Sequence, residues 1–338
     1  MKNFRKILIL TLLFFTGFFV SAKDASFTGE DYDIKLCYND TAFPGQAIFV
    51  RMKITQNQKK SSKSRTEKNL QKAELNQTTA KLNLFIDDKL VDNSNFYVLP
   101  ESSSKNSISF LTGIPLSSWW TENSKYYLLV KFNYLGLKEY EFKLPFELLH
   151  KDFINETIPL NDSNTNIKTD TSPKRMEQIK KLNEILETIN PSEIYQTKAF
   201  VPPTTATRRT SFFADRRLYA YSNGKSSTSL HYGIDYGIPT GSEVLTCANG
   251  KVVLAENRIS TGWSVVVEHL PGLYSLYYHM DSLNVKKDDF VKEGQILGLS
   301  GSTGLATGPH LHWEMRLNMS AVDPDFFTND FTFENQLN

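Results

Sequence analysis

Alternation of apolar and charged residues is the sequence feature that most limits the fold. From Ile48 to Ile54 every even position is apolar, whereas Arg51 and Lys53 are charged. The same alternation recurs in residues 139–144. In a strand, successive side chains point to opposite faces, so a period of two indicates a sheet with one buried face and one solvated face. We therefore predict a mainly β protein.

The first half of the chain reads as a series of short strands. Lys81–Ile86 and Tyr126–Tyr134 are further candidates, and no convincing helix separates them. This pattern predicts a β-sandwich domain over residues 23–155, and we expect an immunoglobulin-like topology. Its single histidine, His150, lies at the end and is expected at the surface. The region offers no evident chemistry, so we interpret it as a spacing or recognition domain.

A linker over residues 156–198 is expected to join two domains. Asn161–Asp170 is polar and lacks periodicity, which indicates an irregular segment. Ser172 then suits an N-cap, and Pro173 suits the first helical position. The apolar residues that follow at helical spacing predict an amphipathic helix over residues 173–189 that packs on one of the domains.

The second half is β-rich and punctuated by glycine. A chain of 338 residues suits two domains, and we place the second at residues 199–328, with a tail at 329–338. Asn249-Gly250 lies between two apolar runs and predicts a hairpin with a type I′ turn.

The first 22 residues have the layout of a secretory signal peptide. Lys2, Arg5 and Lys6 precede the apolar stretch Ile7–Val20, and the chain turns polar at Lys23. The apolar stretch is short for a membrane-spanning helix, which needs roughly 20 residues. We expect cleavage, export from the cytoplasm and no integral membrane span afterwards. An uncleaved anchor is the alternative.

The charge balance argues against a nucleic-acid partner, because 38 Lys and Arg residues face 37 Asp and Glu residues. Locally, Gln56–Thr79 collects basic residues among polar ones. We interpret this segment as a long solvated loop between two strands. Contact with an anionic wall polymer or a membrane surface is the alternative.

Residues that can carry chemistry cluster in the second half. Five of the six histidines fall between positions 231 and 312. His231 and Asp235 are four residues apart with a glycine between them, and His310 and His312 are separated by one residue. Positions i and i+2 of an extended segment share a face, so both imidazoles would project into one cleft. Clustered histidines and carboxylates indicate a metal site.

The available residue types favour a catalytic metal over a structural one. The two cysteines, Cys37 and Cys247, lie far apart, which excludes a cysteine-based zinc finger. Two imidazoles and one carboxylate would leave one position of a tetrahedral zinc ion open to water. The sequence contains no H-E-x-x-H and no G-x-S-x-G serine motif. The glycine-rich stretch from Gly298 to Gly308 is not followed by Gly-Lys-Ser/Thr, so it does not indicate a phosphate loop. A histidine would therefore have to act as the base.

Six short stretches of the second half form a specific combination. They are His231-Tyr-Gly-Ile-Asp235, Leu276-Tyr-Tyr-His279, Val291-Lys-Glu-Gly294-Gln-Ile-Leu-Gly298, Gly301-Ser-Thr-Gly304, Gly308-Pro-His-Leu-His312-Trp-Glu and Val322-Asp-Pro324. Together they make residues 201–328 resemble the lysostaphin-type, or LytM-like, zinc endopeptidases. The resemblance implies an antiparallel β domain that hydrolyses peptide bonds in the stem or cross-bridge of bacterial peptidoglycan, with zinc-bound water as the nucleophile. It also implies a periplasmic or extracellular location.

Roles follow from the resemblance position by position. It makes His231, Asp235 and His312 the ligands of one Zn²⁺ per chain, and it makes His279 and His310 the catalytic pair that orients or deprotonates water and stabilises the oxyanion. Peptidoglycan peptides are then the expected partners, and nothing in the sequence fixes the oligomeric state. Inactive relatives of this kind usually lack some of these five residues, and this chain has all of them.

Two turns depart from the family pattern. Phe213-Ala214 stands where Phe-Gly is favoured, and Lys287-Asp288 stands where a glycine turn is usual. Both lie away from the expected ligands, so they put loop shape in doubt and not the chemistry.

Several alternatives stay open at this point. The domain could be a non-catalytic module that binds the wall or activates an amidase, or a secreted peptidase that acts on ordinary proteins. His279 could be a buried core histidine, and we interpret His269 as structural. Four aromatic residues could line a substrate groove, although aromatic residues on strands are more often core: Tyr232, Tyr277, Tyr278 and Trp313.

Overall fold

The computed structural model describes residues 22–29, 32–56, 78–99, 106–134 and 138–331. The predicted signal peptide up to residue 21, residues 57–77 of the basic loop and residues 332–338 of the tail lie outside these ranges. The chain forms two compact units that divide between His150 and Lys151. Within the described ranges, no helix has both the length and the apolarity that crossing a membrane requires.

The first unit is built from two antiparallel sheets. Its strands are β1 (Ala22–Thr28), β2 (Tyr32–Asn39), β3 (Thr41–Ala42), β4 (Ala47–Gln56), β5 (Thr79–Ile86), β6 (Lys89–Asn95), β7 (Tyr97–Val98), β8 (Ser107–Pro115), β9 (Tyr126–Tyr134), β10 (Lys138–Pro145) and β11 (Glu147–Leu148). One sheet has the order β1-β2-β4-β8-β7 and the other β10-β9-β5-β6, and the short strands β3 and β11 pair in parallel. Apolar residues of both sheets share one core, for example Leu36 from the first and Leu128 from the second. The predicted sandwich is confirmed, whereas its immunoglobulin-like topology is not confirmed.

The period-two pattern is what builds this core. Ile48, Met52 and Ile54 are fully buried, while Arg51 and Lys53 between them are partly exposed. The predicted strand Tyr126–Tyr134 is confirmed as β9.

The second unit contains the remaining elements. They are β12 (Asn155–Pro159), α1 (Asp162–Thr169), α2 (Pro173–Glu187), β13 (Arg209–Ser211), β14 (Arg216–Ala220), β15 (Ser226–Leu230), β16 (Gly233–Tyr236), β17 (Glu243–Leu245), β18 (Gly250–Arg258), β19 (Gly262–Leu270), β20 (Leu273–Leu283), β21 (Phe290–Val291), β22 (Ile296–Ser300), β23 (Leu311–Leu317), β24 (Ser320–Val322) and a π-helical turn (Phe326–Asp330). The main sheet runs β13-β16-β23-β20-β19-β18-β21, with β17, β22 and β24 attached to it. A small sheet runs β12-β14-β15, in which β12 is parallel to β14.

Two helices stand where the sequence predicts one. Helix α2 is confirmed, with Ser172 as its N-cap accepting from the Arg175 amide. It ends at Glu187, two residues before the predicted end, and the next carbonyl, that of Thr188, accepts a hydrogen bond from the Tyr274 hydroxyl. Its Leu186 is buried against the main sheet.

Helix α1 contradicts the expectation of an irregular Asn161–Asp170 segment. Asn161 caps this helix by accepting from the Asn164 amide. Its buried residues are polar: Asn164 donates to the Ala306 carbonyl, and the Thr165 hydroxyl accepts from the Ser222 amide. A helix held by polar contacts leaves no apolar periodicity in the sequence.

The predicted hairpin at Asn249-Gly250 is wrong. Neither residue has the positive φ that a type I′ turn requires. β17 pairs with β22, and β18 pairs with β19 and β21. Gly250 serves close packing, because a Cβ there would lie 2.4 Å from the Glu268 carbonyl oxygen.

Both departures from the family's glycine turns fall at left-handed backbone. Ala214 has φ +62° and Asp288 has φ +74°. Aspartate tolerates this region better than alanine does, and an L-residue there is strained by roughly 1–2 kcal/mol.

We therefore expect Ala214→Gly to raise the free energy of unfolding by about 0.5–1 kcal/mol, because relief of this strain exceeds the added chain entropy of glycine. Ala248→Gly is the matched control: Ala248 is also buried but has an ordinary φ, so this change should destabilise by about 1 kcal/mol. Chemical denaturation measures both. Equal destabilisation by the two changes would contradict strain at Ala214.

His269 lies in the core of the second unit, as the structural interpretation predicts. It is fully buried, Nδ1 donates to the Asn249 carbonyl at 2.7 Å, and Nε2 accepts from the Ser275 hydroxyl at 2.7 Å. Burial lowers the pKa of His269 to about 4, although the hydrogen bond to the Asn249 carbonyl acts to raise it. The ring is therefore neutral in the folded state at neutral pH.

This lowered pKa predicts acid lability. Between about pH 6.5 and pH 4 the unfolded chain binds a proton that folded His269 does not, so the contribution of His269 to stability falls as the pH falls through this window, by at most about 3 kcal/mol. His269→Asn keeps a donor for the Asn249 carbonyl but cannot titrate, so its unfolding free energy should change less over the same window. Denaturation at several pH values measures the difference. Parallel pH profiles for the two proteins would contradict this assignment.

Candidate metal centre

The pairing of β16 with β23 brings the candidate ligands together. In this antiparallel register Asp235 lies opposite His312. The strands approach closely at Gly233, where a Cβ would lie 2.1 Å from the carbonyl oxygen of Trp313. His231 follows directly after β15, and its backbone is held by hydrogen bonds with Ala214 and Asp215. The expectation that the Phe213-Ala214 turn lies away from the ligands is therefore wrong, because strand pairing brings this turn to His231.

Three donor atoms converge at this point. His231 Nε2 lies 3.0 Å from Asp235 Oδ1 and 2.9 Å from His312 Nδ1, and His312 Nδ1 lies 2.7 Å from Asp235 Oδ1. All three residues are buried. The structure thus groups the three predicted ligands.

The remaining polar atoms of these side chains have their own partners. His231 Nδ1 donates to the Phe212 carbonyl at 2.8 Å, and His312 Nε2 donates to Glu314 Oε1 at 3.1 Å. Asp235 Oδ2 accepts from Arg217 Nη2 at 3.0 Å. Such outer hydrogen bonds orient metal-binding side chains and leave one nitrogen lone pair of each imidazole facing the other donors.

The electrostatics favour a positive charge between the three groups. Burial would raise the pKa of Asp235, but the His231 and His312 rings hold it well below its ordinary value. Burial would lower the pKa of His312, but hydrogen bonds with Asp235 and Glu314 raise it to about 9. For His231, burial dominates and lowers the pKa.

The predicted catalytic histidines lie beside this cluster. The ring centroids of His279 and His310 are 4.7 Å apart, and His310 Nε2 lies 3.8 Å from Asp235 Oδ1. His279 Nδ1 donates to the Thr303 carbonyl at 2.8 Å, and His310 Nδ1 donates to the Gly308 carbonyl at 2.8 Å. In both rings the backbone hydrogen bond is made by Nδ1, so Nε2 is the nitrogen that can face a reacting group. Burial, together with His310 and His312, lowers the pKa of His279 to about 3.

His279 is also held in a strained conformation. Its φ is +59°, in the left-handed region that non-glycine residues rarely occupy. The register between β19 and β20 shifts here, since Val265 pairs with Tyr277 but Trp263 pairs with Met280. Bulges of this kind re-aim side chains next to active sites.

The aromatic candidates divide between core and surface. Tyr277, Tyr278 and Trp313 are buried, and the Tyr278 ring is stacked on His312 with centroids 5.5 Å apart. Tyr232 is exposed and lies under the Arg316 guanidinium. His150 is exposed and pairs with Glu122 in the first unit.

Sequence reasoning missed four charged residues around the site. Glu314 pairs with both His312 and Arg316, and the i+2 spacing from His312 on a strand was a usable signal. Arg217 and Glu156 lie far from the histidine motifs in sequence. The parallel pairing of β12 with β14 sets Glu156 beside Arg217, and the Arg217 side chain reaches Asp235.

The donor set fits a zinc ion. Two imidazole nitrogens and one carboxylate oxygen are ordinary zinc ligands, and three protein ligands leave a position for water or substrate. The donor atoms already lie within 4.8 Å of one another, and their outer atoms are hydrogen-bonded.

Known proteins resemble the part of the chain that contains this site. Over 114 residues the chain is 38% identical to the peptidoglycan DD-endopeptidase ShyA of Vibrio cholerae, covering 34% of this chain and 26% of the relative. Over 101 residues it is 38% identical to lysostaphin of Staphylococcus staphylolyticus, covering 28% and 21%. The solved catalytic domain of lysostaphin from Staphylococcus simulans is 32% identical with a TM-score of 0.32, covering 36% of this chain and 91% of that one.

The chain thus spans only about a quarter of the length of these curated relatives. The model of Peptidase family M23 matches residues 229–324, which include all five histidine and aspartate residues of the site. The second unit therefore contains a Peptidase family M23 domain.

Proposed function

We propose that this protein is an exported, zinc-dependent endopeptidase that hydrolyses peptide bonds in the stem or cross-bridge of bacterial peptidoglycan. The convergence of the His231, Asp235 and His312 donor atoms inside the M23 domain is the observation that carries this proposal. Relatives named as peptidoglycan endopeptidases support the substrate class. The signal-like first 22 residues support export.

The three donors would hold the metal through His231 Nε2, Asp235 Oδ1 and His312 Nδ1. When bound, zinc would supply Lewis acidity towards water and towards the scissile carbonyl. The chain's own contribution is a fixed and buried set of ligands, since each one is anchored by a carbonyl or a charged side chain.

His279 and His310 would handle protons. Because each ring donates Nδ1–H to a backbone carbonyl, Nε2 is the atom that accepts a proton from water or, once protonated, donates to the oxyanion or the departing amine. The low pKa of His279 keeps that ring neutral before the reaction begins.

Substitutions should separate ligands from proton carriers. His231→Ala, Asp235→Ala and His312→Ala each remove a donor, so zinc and activity should both be lost. His279→Ala and His310→Ala should retain about one zinc per chain while turnover falls on the order of 10²-fold or more. Metal analysis of the purified variants measures this, with His150→Ala as the control. Loss of zinc from His310→Ala and its retention in His312→Ala would reverse our assignment of that pair.

Activity is tested by incubating the chain from residue 23 onwards with purified cell wall. We expect new amine ends and muropeptides whose masses identify a cleaved peptide bond. Chelation should abolish release, and added zinc should restore it. A zinc-loaded chain that binds the wall and releases no amine ends would instead identify a non-catalytic module, and cleavage of ordinary proteins in preference to wall would contradict the substrate class.

A further inference from the structure

We propose that Arg217 and Glu156 form a positioning pair that fixes how Asp235 presents its carboxylate to the metal. The pair is not part of the histidine motifs, and Glu156 and Arg217 both precede the segment that matches the M23 family. This inference rests on the proposed function only in taking the three donors as the metal site.

The two oxygens of Asp235 face different partners. Oδ1 lies within 3.0 Å of the donor nitrogens of both His231 and His312, whereas Oδ2 accepts from Arg217 Nη2 at 3.0 Å. An arginine bond on Oδ2 stops the carboxylate from rotating about its own axis. It therefore directs a single oxygen, Oδ1, towards the other donors.

Arg217 is itself held in place by Glu156. Its Nε donates to Glu156 Oε1 at 2.6 Å, and its side chain is only 10% exposed. The parallel register of β12 and β14 sets Glu156 directly beside Arg217. With one N–H on each carboxylate, the planar guanidinium has a fixed orientation that the flexible ammonium of a lysine could not reproduce.

The charges of Asp235, Arg217 and Glu156 also balance one another in part. The carboxylate of Glu156 neutralises the buried guanidinium of Arg217, so Arg217 can hold Asp235 without placing an unpaired positive charge beside the metal position. Two carboxylates and one guanidinium leave one net negative charge beside the metal position. Loss of Glu156 would leave Arg217 less fixed and less compensated, so both effects would weaken metal binding.

Zinc affinity of the metal-stripped full chain tests the pair, measured by competition with a chromophoric chelator. Arg217→Gln should weaken zinc binding by about 10–100-fold, the usual effect of losing an outer partner of a ligand. Glu156→Gln should weaken it in the same direction, and Arg217→Lys should restore only part of the loss. Glu156 acts on Asp235 only through Arg217. Once Arg217 is replaced, loss of Glu156 should have no further effect, so the double variant should bind zinc no more weakly than Arg217→Gln alone.

Glu256→Gln is the matched control, because Glu256 is a similarly exposed carboxylate that pairs with Lys181 instead. Denaturation of each metal-stripped variant separates metal affinity from folding. If Arg217→Gln does not fold, the milder Glu156→Gln decides alone.

Zinc affinity within threefold of wild type in folded Arg217→Gln and Glu156→Gln would overturn the proposal. Fully additive losses in the double variant would also overturn it. A wild-type chain that binds zinc but releases no amine ends from cell wall would contradict the proposed function alone, and the zinc comparison would still decide the role of the pair.

Discussion

The candidate site depends on the register of one strand pair, β16 with β23. Because side chains alternate along a strand, a slip of one residue would turn Asp235 and His312 to opposite faces and separate the donors. Gly233 permits the close approach that this register needs, since any side chain there would meet the Trp313 carbonyl. The ligands therefore lie on paired strands or directly beside them, which fixes them more firmly than a loop would.

The three donor residues that this register brings together are buried, which strengthens the interactions between their charges. Charged groups removed from water must be paired, and here each one has a partner: Asp235 with Arg217, Arg217 with Glu156, and His312 with Glu314. Tyr278 covers one face of the His312 ring. The site thus combines burial away from water with donors held in fixed positions. Electrostatic interactions are strongest under these conditions.

The sequence predicts most of the β architecture and the histidines of the site, but not their supports. The alternation at Ile48–Ile54 predicts a strand correctly because one face of that strand is buried and the other is partly exposed. The spacing of His310 and His312 is informative because His310 forms a bridge with Gly301 directly before β23, which contains His312. The prediction for the α1 segment is wrong because the buried residues of this helix, Asn164 and Thr165, are polar and give no apolar pattern. Glu156 stays hidden because its neighbour in space, Arg217, is 61 residues away in the chain. Local patterns cannot report pairings that only the fold creates.

X-ray absorption at the zinc edge of the purified chain tests the central claim most directly, namely that His231, Asp235 and His312 form the metal site. The account predicts about one zinc per chain with only nitrogen and oxygen neighbours, at about 2.0–2.2 Å, and outer scattering from two imidazoles. A sulfur neighbour at about 2.3 Å would instead place zinc at buried Cys37 or Cys247 and contradict the account.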